Sequence, residues 1–157
     1  MAVRFMLAQD VPGAALIHQV AFPRQQYSQQ WLQCSFKAAP RTFCLVAEKR
    51  GEVVGYIIWA QKSGFRPQVV LELEQLAVEP SYQGQGIGRQ LLTNSLPLVK
   101  EQLRNQGSTL KHILITTRAD NRAQNLYRQA LGAEVEATLS DLYSADEVIM
   151  IARHVDV

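Results

Sequence analysis

The stretch Val69-Val-Leu-Glu-Leu-Glu-Gln-Leu-Ala-Val-Glu-Pro-Ser-Tyr-Gln-Gly-Gln-Gly-Ile-Gly-Arg-Gln-Leu-Leu92 decides how the chain is read. Val69 to Val78 is rich in β-branched and apolar residues, the composition of a strand. Pro80 ends it, because proline has no N–H for a strand ladder. Gly84, Gly86 and Gly88 follow at alternate positions, and Ile87, Leu91 and Leu92 then open an apolar stripe at helical spacing. Glycines ahead of a helix leave main-chain N–H groups bare, at an end where the helix dipole also favours negative charge. Strand, glycine turn and helix together make a phosphate cradle.

Two familiar cradles are excluded. A Walker loop beginning at Gly84 needs a Gly-Lys pair where Arg89 stands. A dinucleotide fingerprint needs its third glycine at that same position. The pattern that fits is Gln/Arg-x-x-Gly-x-Gly/Ala, spelled here by Gln83, Gly84, Gln85, Gly86, Ile87 and Gly88. With Glu72-Leu73, Leu76-Ala77-Val78, Pro80 and Tyr82 in the same order and spacing, the chain resembles the GNAT superfamily of N-acetyltransferases. The resemblance implies a mixed α/β sheet and acetyl-coenzyme A as donor substrate. It also implies that the diphosphate rests on the amides from Gln83 to Arg89, and that Leu76, Ala77 and Val78 bind the pantetheine arm through a bulged, splayed strand.

Outward from this stretch, 157 residues suit one domain, taken as residues 1–157. Hydrophobic content of 47% with 19% charged residues describes a globular chain and not a disordered one. A net charge of +2 without a basic run gives no case for nucleic acid. Cys34 and Cys44 lack a Cys-x-x-Cys spacing and read as reduced, packed thiols. His18, His112 and His154 fall in no metal-ligand spacing, so no metal is expected. No signal-peptide pattern or membrane span stands out, which points to a cytoplasmic enzyme. A homodimer is left open.

In chain order, Val3 to Leu7 reads as a strand, with Asp10 and Pro12 as a helix start. That helix stops before Pro23, and a second runs from Gln29 to Phe36. Thr42 to Lys49 and Glu52 to Gln61 form a hairpin about Arg50-Gly51. The helix after the glycine turn reaches Asn105, and Pro97 should kink or split it. The consecutive Ile113, Leu114 and Ile115 predict a strand buried on both faces. Asp120 is placed to cap a helix ending at Gly132, and two strands, Ala133 to Leu139 and Glu147 to Arg153, close the chain. The predicted order is β-α-α-β-β-β-α-β-α-β-β, an α/β mixed sheet of the GNAT acyl-CoA N-acyltransferase type.

Acetyl transfer to an amine requires a held donor, an uncharged amine, an oxyanion stabiliser and a proton for the thiolate. The amide of Leu76 or Ala77 suits the oxyanion. Strand alternation puts Glu72 and Glu74 on the face of Leu76, and either can serve as base, Glu72 standing where some GNAT members place theirs. Asn121-Arg-Ala-Gln-Asn-Leu-Tyr127 resembles the family segment whose tyrosine protonates coenzyme A sulfur, which makes Tyr127 the acid. Aligning Tyr127 places Asp120 where the family has asparagine, so Asp120 or Asn121 contacts the pantetheine, with Asn121 favoured. Asp141, Tyr143, Asp146 and Glu147 mark a loop that would favour a cationic amine. The expected activity is direct transfer from acetyl-CoA to a primary amine, a small molecule before a protein N-terminus or lysine. The competing reading is a non-catalytic acyl-CoA-binding sensor of the same fold.

Overall fold

The computed structural model describes residues 1–155. The elements follow the predicted order: β1 (Ala2–Phe5), α1 (Val11–Ala21), α2 (Ser28–Lys37), β2 (Thr42–Lys49), β3 (Glu52–Gln61), β4 (Gln68–Val78), α3 (Ile87–Asn105), β5 (Thr109–Arg118), α4 (Ala123–Leu131), β6 (Glu134–Leu139) and β7 (Glu147–Arg153). Short 3-10 turns precede α1 and α3. The strand order is β1-β2-β3-β4-β5-β7-β6, so the last two strands reverse, with β7 next to β5. The chain forms two compact units. The first holds Met1–Ala60 and Gln75–Val99; the second holds Gln61–Glu74 and the chain from Lys100 onward.

In the first unit β1, β2 and β3 form an antiparallel meander. Arg50 and Gly51 both take positive φ, 54° and 81°, the geometry that matches a two-residue turn to the twist of its strands. Residues 42–47 and 54–60 are buried without alternation, because both faces of these strands are covered. Val11, Ala14 and Ile17 of α1 and Leu32 of α2 pack with Cys44, Val46, Tyr56 and Ile58. Cys34, expected to be packed, is exposed.

Gly55 has a packing role that no sequence pattern announces. A Cβ there would stand 3.0 Å from the Ala77 carbonyl oxygen and 3.0 Å from Leu91 Cδ1. The missing side chain lets the end of β4 and the first turns of α3 close on β3.

In the second unit β4 runs parallel to β5, from Gln68↔Thr109 to Leu73↔Ile115. β7 pairs antiparallel with both β5 and β6. Contrary to the expectation of two buried faces, β5 alternates: Leu110, Ile113, Ile115 and Thr117 are buried while Leu114 is half-buried. α3 is one continuous helix through Pro97, not two. The apolar stripe explains this, since Leu91, Leu92, Val99 and Leu103 are all fully buried and their packing outweighs one missing hydrogen bond. Gly132 ends α4 in the left-handed region, with Gly132 N–H donating to Arg128 O and Ala133 N–H to Tyr127 O.

Asp10 does stand at the α1 N-cap, but it makes no side-chain cap bond. Its carboxylate instead accepts two bonds from Arg4, at 2.7 and 3.0 Å, and one from Leu7 N–H at 2.7 Å. The Arg4 guanidinium holds this carboxyl below its ordinary range. A depressed folded value means the carboxylate stabilises the fold above the unfolded pKa of about 3.9, and that stability is lost as pH falls through the folded value. Asp10→Asn should therefore lower stability by about 1.5–3 kcal/mol at neutral pH. The difference from wild type should shrink below about pH 4 in urea titrations. A gap that stayed constant down to acid pH would remove the ion pair as its cause.

Candidate active site

Along β4 the burial alternates as a strand requires. Leu71, Leu73, Gln75 and Ala77 are buried, and Glu72, Glu74, Leu76 and Val78 are half-buried on the opposite face. The parallel ladder to β5 covers Gln68 to Leu73, and β4 continues beyond it to Val78. The side chain of Gln83 donates to Val78 O at 3.3 Å, tying the glycine turn to the strand end. Glu79 accepts from Ser81 N–H and turns the chain through Pro80–Tyr82.

Gly84 and Gly86 then adopt φ of 81° and 79°, conformations that L side chains avoid. A Cβ at either position would meet nothing within 4 Å, so the demand is conformational and the turn lies open. Gly88 differs, being an ordinary residue of the first turn of α3. Gln90 N–H donates to Gly86 O, which makes Gly86 the first carbonyl of the helix. Among the described residues the amides of Gly84, Gln85, Gly86, Ile87 and Gly88 donate to no protein acceptor. Bare N–H groups at the positive end of a nineteen-residue helix fit a diphosphate.

Lys49, at the end of β2, was not singled out from the sequence. Its Nζ lies 3.3 Å from Gln85 Oε1 and 5.5 Å from the centroid of the Tyr82 ring. It adds a full positive charge beside the turn. Hairpin pairing brings it there, which no local pattern around residue 49 could reveal.

The second unit carries Glu72, Asn121 and Tyr127. The Glu72 carboxylate, 28% exposed, pairs with Lys62 Nζ at 3.6 Å. Tyr127 is buried on α4, and burial pushes its hydroxyl up to about 12. That hydroxyl has no hydrogen-bond partner among the described residues and is not sealed from solvent. The expectation that Asp120 caps α4 is corrected: its carboxylate pairs with Arg118 at 3.1 and 3.2 Å. Asn121, one residue before the N-cap Arg122, takes the first helical amide instead, its Oδ1 accepting from Ala123 N–H at 2.9 Å while Nδ2 donates to Thr117 Oγ1. Asn121 prevails because its side chain reaches the amide two residues ahead, while a stronger charge-assisted bond draws Asp120 back to Arg118.

Gln124 was also missed. It is buried, and its Nε2 donates to the carbonyls of Arg118 and Ala119, fixing the β5–α4 turn. In the loop before β7, Asp146 Oδ1 accepts from Asp141 N–H and Tyr143 is exposed. Burial pushes the Glu147 carboxyl up, against the pull of Arg118. Among the described residues no cluster of three metal-ligating side chains occurs. No helix among them is long and apolar enough to cross a membrane.

This is the architecture of an acyl-transferring α/β protein, and comparison with known proteins agrees. Residues 13–133 match the model of the acetyltransferase (GNAT) family. The chain belongs to that family and is an acyltransferase. It is 29% identical to the L-amino acid N-acyltransferase MnaT of Escherichia coli (strain K12), over 88% of this chain and 83% of that one. The fold is shared with an aminoglycoside 6'-N-acetyltransferase complexed with coenzyme A, at a TM-score of 0.77 and 16% identity over 98% and 97% of the two chains. It is also shared with the ribosomal-protein-S18-alanine N-acetyltransferase from Escherichia coli, at 0.73 and 21% over 98% and 93%. A third is yncA, a putative acetyltransferase from Salmonella typhimurium with its cofactor acetyl-CoA, at 0.70 and 23% over 98% and 93%.

Proposed function

We propose that the chain works as a single N-acetyltransferase domain that moves the acetyl group of acetyl-CoA directly to the primary amine of a small molecule. The observation that carries this reading is the run of unpartnered amides from Gly84 to Gly88 at the start of α3, with Lys49 beside it. The printed activity of the Escherichia coli relative makes an L-amino acid the first acceptor to try. A protein N-terminus or lysine is a less favoured acceptor.

The amides of Gly84 to Gly88 hold the diphosphate, the Gln83 N–H being taken up by Pro80 O, and Leu76, Ala77 and Val78 offer main-chain groups to the pantetheine arm. An N–H of Leu76 or Ala77 receives the charge that develops on the thioester oxygen. Asn121, whose Nδ2 carries a second hydrogen beyond its bond to Thr117, is the further contact to the arm. Glu72, with Glu74 on the same face, accepts the proton of the amine. For a lysine-like amine of pKa about 10.4, the neutral form at pH 7 costs roughly 4–5 kcal/mol, so a carboxylate acting directly or through water matters.

Tyr127 keeps its phenolic proton at every pH where the reaction runs, given a value of about 12. It donates its phenolic hydrogen to the departing sulfur in a charge-assisted hydrogen bond. Tyr127→Phe should lower kcat by about 10- to 100-fold, the worth of one such bond, with little change in donor KM. An unaltered kcat would take Tyr127 out of the mechanism.

Glu72→Gln should depress turnover most at low pH, where the amine is most protonated; an equal effect across the pH profile would assign the base elsewhere. Lys49→Ala should raise the KM for acetyl-CoA about 2- to 5-fold at low salt, and less at high salt. A salt-independent loss would point to a structural defect. Thiol release from acetyl-CoA against L-amino acids and other amines tests the whole reading. Saturable donor binding without release for any amine would leave the acyl-CoA sensor instead.

A further inference from the structure

Away from the glycine turn, the first unit contains a directional chain of polar side chains that the reaction as described does not use. Gln75 is buried on β4, and its Oε1 accepts from both Trp31 Nε1 and Tyr56 Oη at 2.9 Å. Its Nε2 donates to Gln25 Oε1 at 3.2 Å. The same Gln25 oxygen lies 2.9 Å from Nε2 of His18, a fully buried histidine of α1. Ser28 Oγ, 2.7 Å from His18 Nδ1, completes the set. A carbonyl oxygen can only accept, so His18 Nε2 carries the hydrogen and Nδ1 takes the one from Ser28. Trp31, Tyr56, His18 and Ser28 each meet an acceptor in this way.

Gln25 is the odd member. It is an exposed residue of the α1–α2 connection, yet one atom of its side chain satisfies two buried donors. Tyr27, two residues on, is held in the left-handed region at φ 55°, which an aromatic residue adopts only when its surroundings impose it. The connection is thus pinned to β4 at Gln75, the residue just before Leu76 and Ala77. A group carried by this connection stands beside the main chain assigned to the thioester oxygen.

We propose that Gln25 is a positioning residue that clasps the α1–α2 connection to β4, so that Tyr27 and Trp31 form the wall against which the acceptor amine docks. The inference rests on the acetyltransferase reading above. Tyr27 and Trp31 are 72% and 38% exposed, and residues 22–37 contain no acidic side chain. This wall therefore takes an amine with an apolar or aromatic body and offers no carboxylate to a second ammonium group.

The test compares wild type, Gln25→Ala and Gln25→Glu with acetyl-CoA and phenylalanine, methionine or putrescine as acceptor. Gln25→Glu keeps an oxygen that accepts both bonds; Gln25→Ala keeps none. For the amine turned over best, Gln25→Ala should raise the acceptor KM about tenfold, the usual worth of two hydrogen bonds. The KM for acetyl-CoA should stay near wild type, the thermal midpoint should fall by a few degrees because two buried donors lose their acceptor, and Gln25→Glu should restore both the acceptor KM and the midpoint. An unchanged acceptor KM, an equal rise in donor KM, or no recovery with glutamate would overturn the clasp while the acetyltransferase reading stood. Putrescine as the best acceptor would overturn the apolar wall. A wild type that acetylates no amine would remove both the activity and the clasp built on it.

Discussion

Main-chain amides that find no acceptor among the described residues are the constraint on which the rest turns. A helix start always leaves such groups, and a folded chain usually covers them with a capping side chain. At the start of α3 this does not happen. Gly84 and Gly86 bend the chain through left-handed conformations that aim successive N–H groups outward. The Gln83 and Lys49 side chains bond to Val78 O and Gln85 instead of capping the helix. The open turn suits a ligand that brings its own oxygens.

Such a turn is useful only if it is held still. Gly55 lets Ala77 and Leu91 approach β3 to van der Waals limits, and Trp59 donates to Ser95 from within the core. Leu91 and Leu92 then anchor the first turns of α3. These contacts are apolar or fully paired, so they resist the small shifts that would disorder a main-chain binding surface. On the second unit the same logic appears with polar side chains. Gln124 grips two carbonyls and Asn121 accepts from the first amide of α4, which fixes the helix that carries Tyr127.

Membership of the GNAT family gives the reaction class without the acceptor. On the proposed reading the donor side is main chain and glycine, whose requirements are similar for any ligand bearing the same diphosphate. The proposed acceptor side uses side chains such as Tyr27 and Trp31, and loop residues of this kind can vary without disturbing a sheet.

Element order, the Arg50-Gly51 turn, the Gly132 stop and the glycine turn before α3 were all legible in the sequence, because each depends on residues adjacent in the chain. Periodicity, positive φ and missing N–H groups are local properties. Where the local reading failed, a distant or competing partner had decided the matter. Asp10 was drawn from capping to Arg4, and Asp120 lost the first amide of α4 to Asn121. Lys49 beside the cradle, Gly55 under Ala77 and the Gln25 bridge to Gln75 belong to the tertiary structure alone. Each joins residues far apart in sequence, and a hydrogen bond or close contact over such a separation exists only once the strands and helices have been brought together.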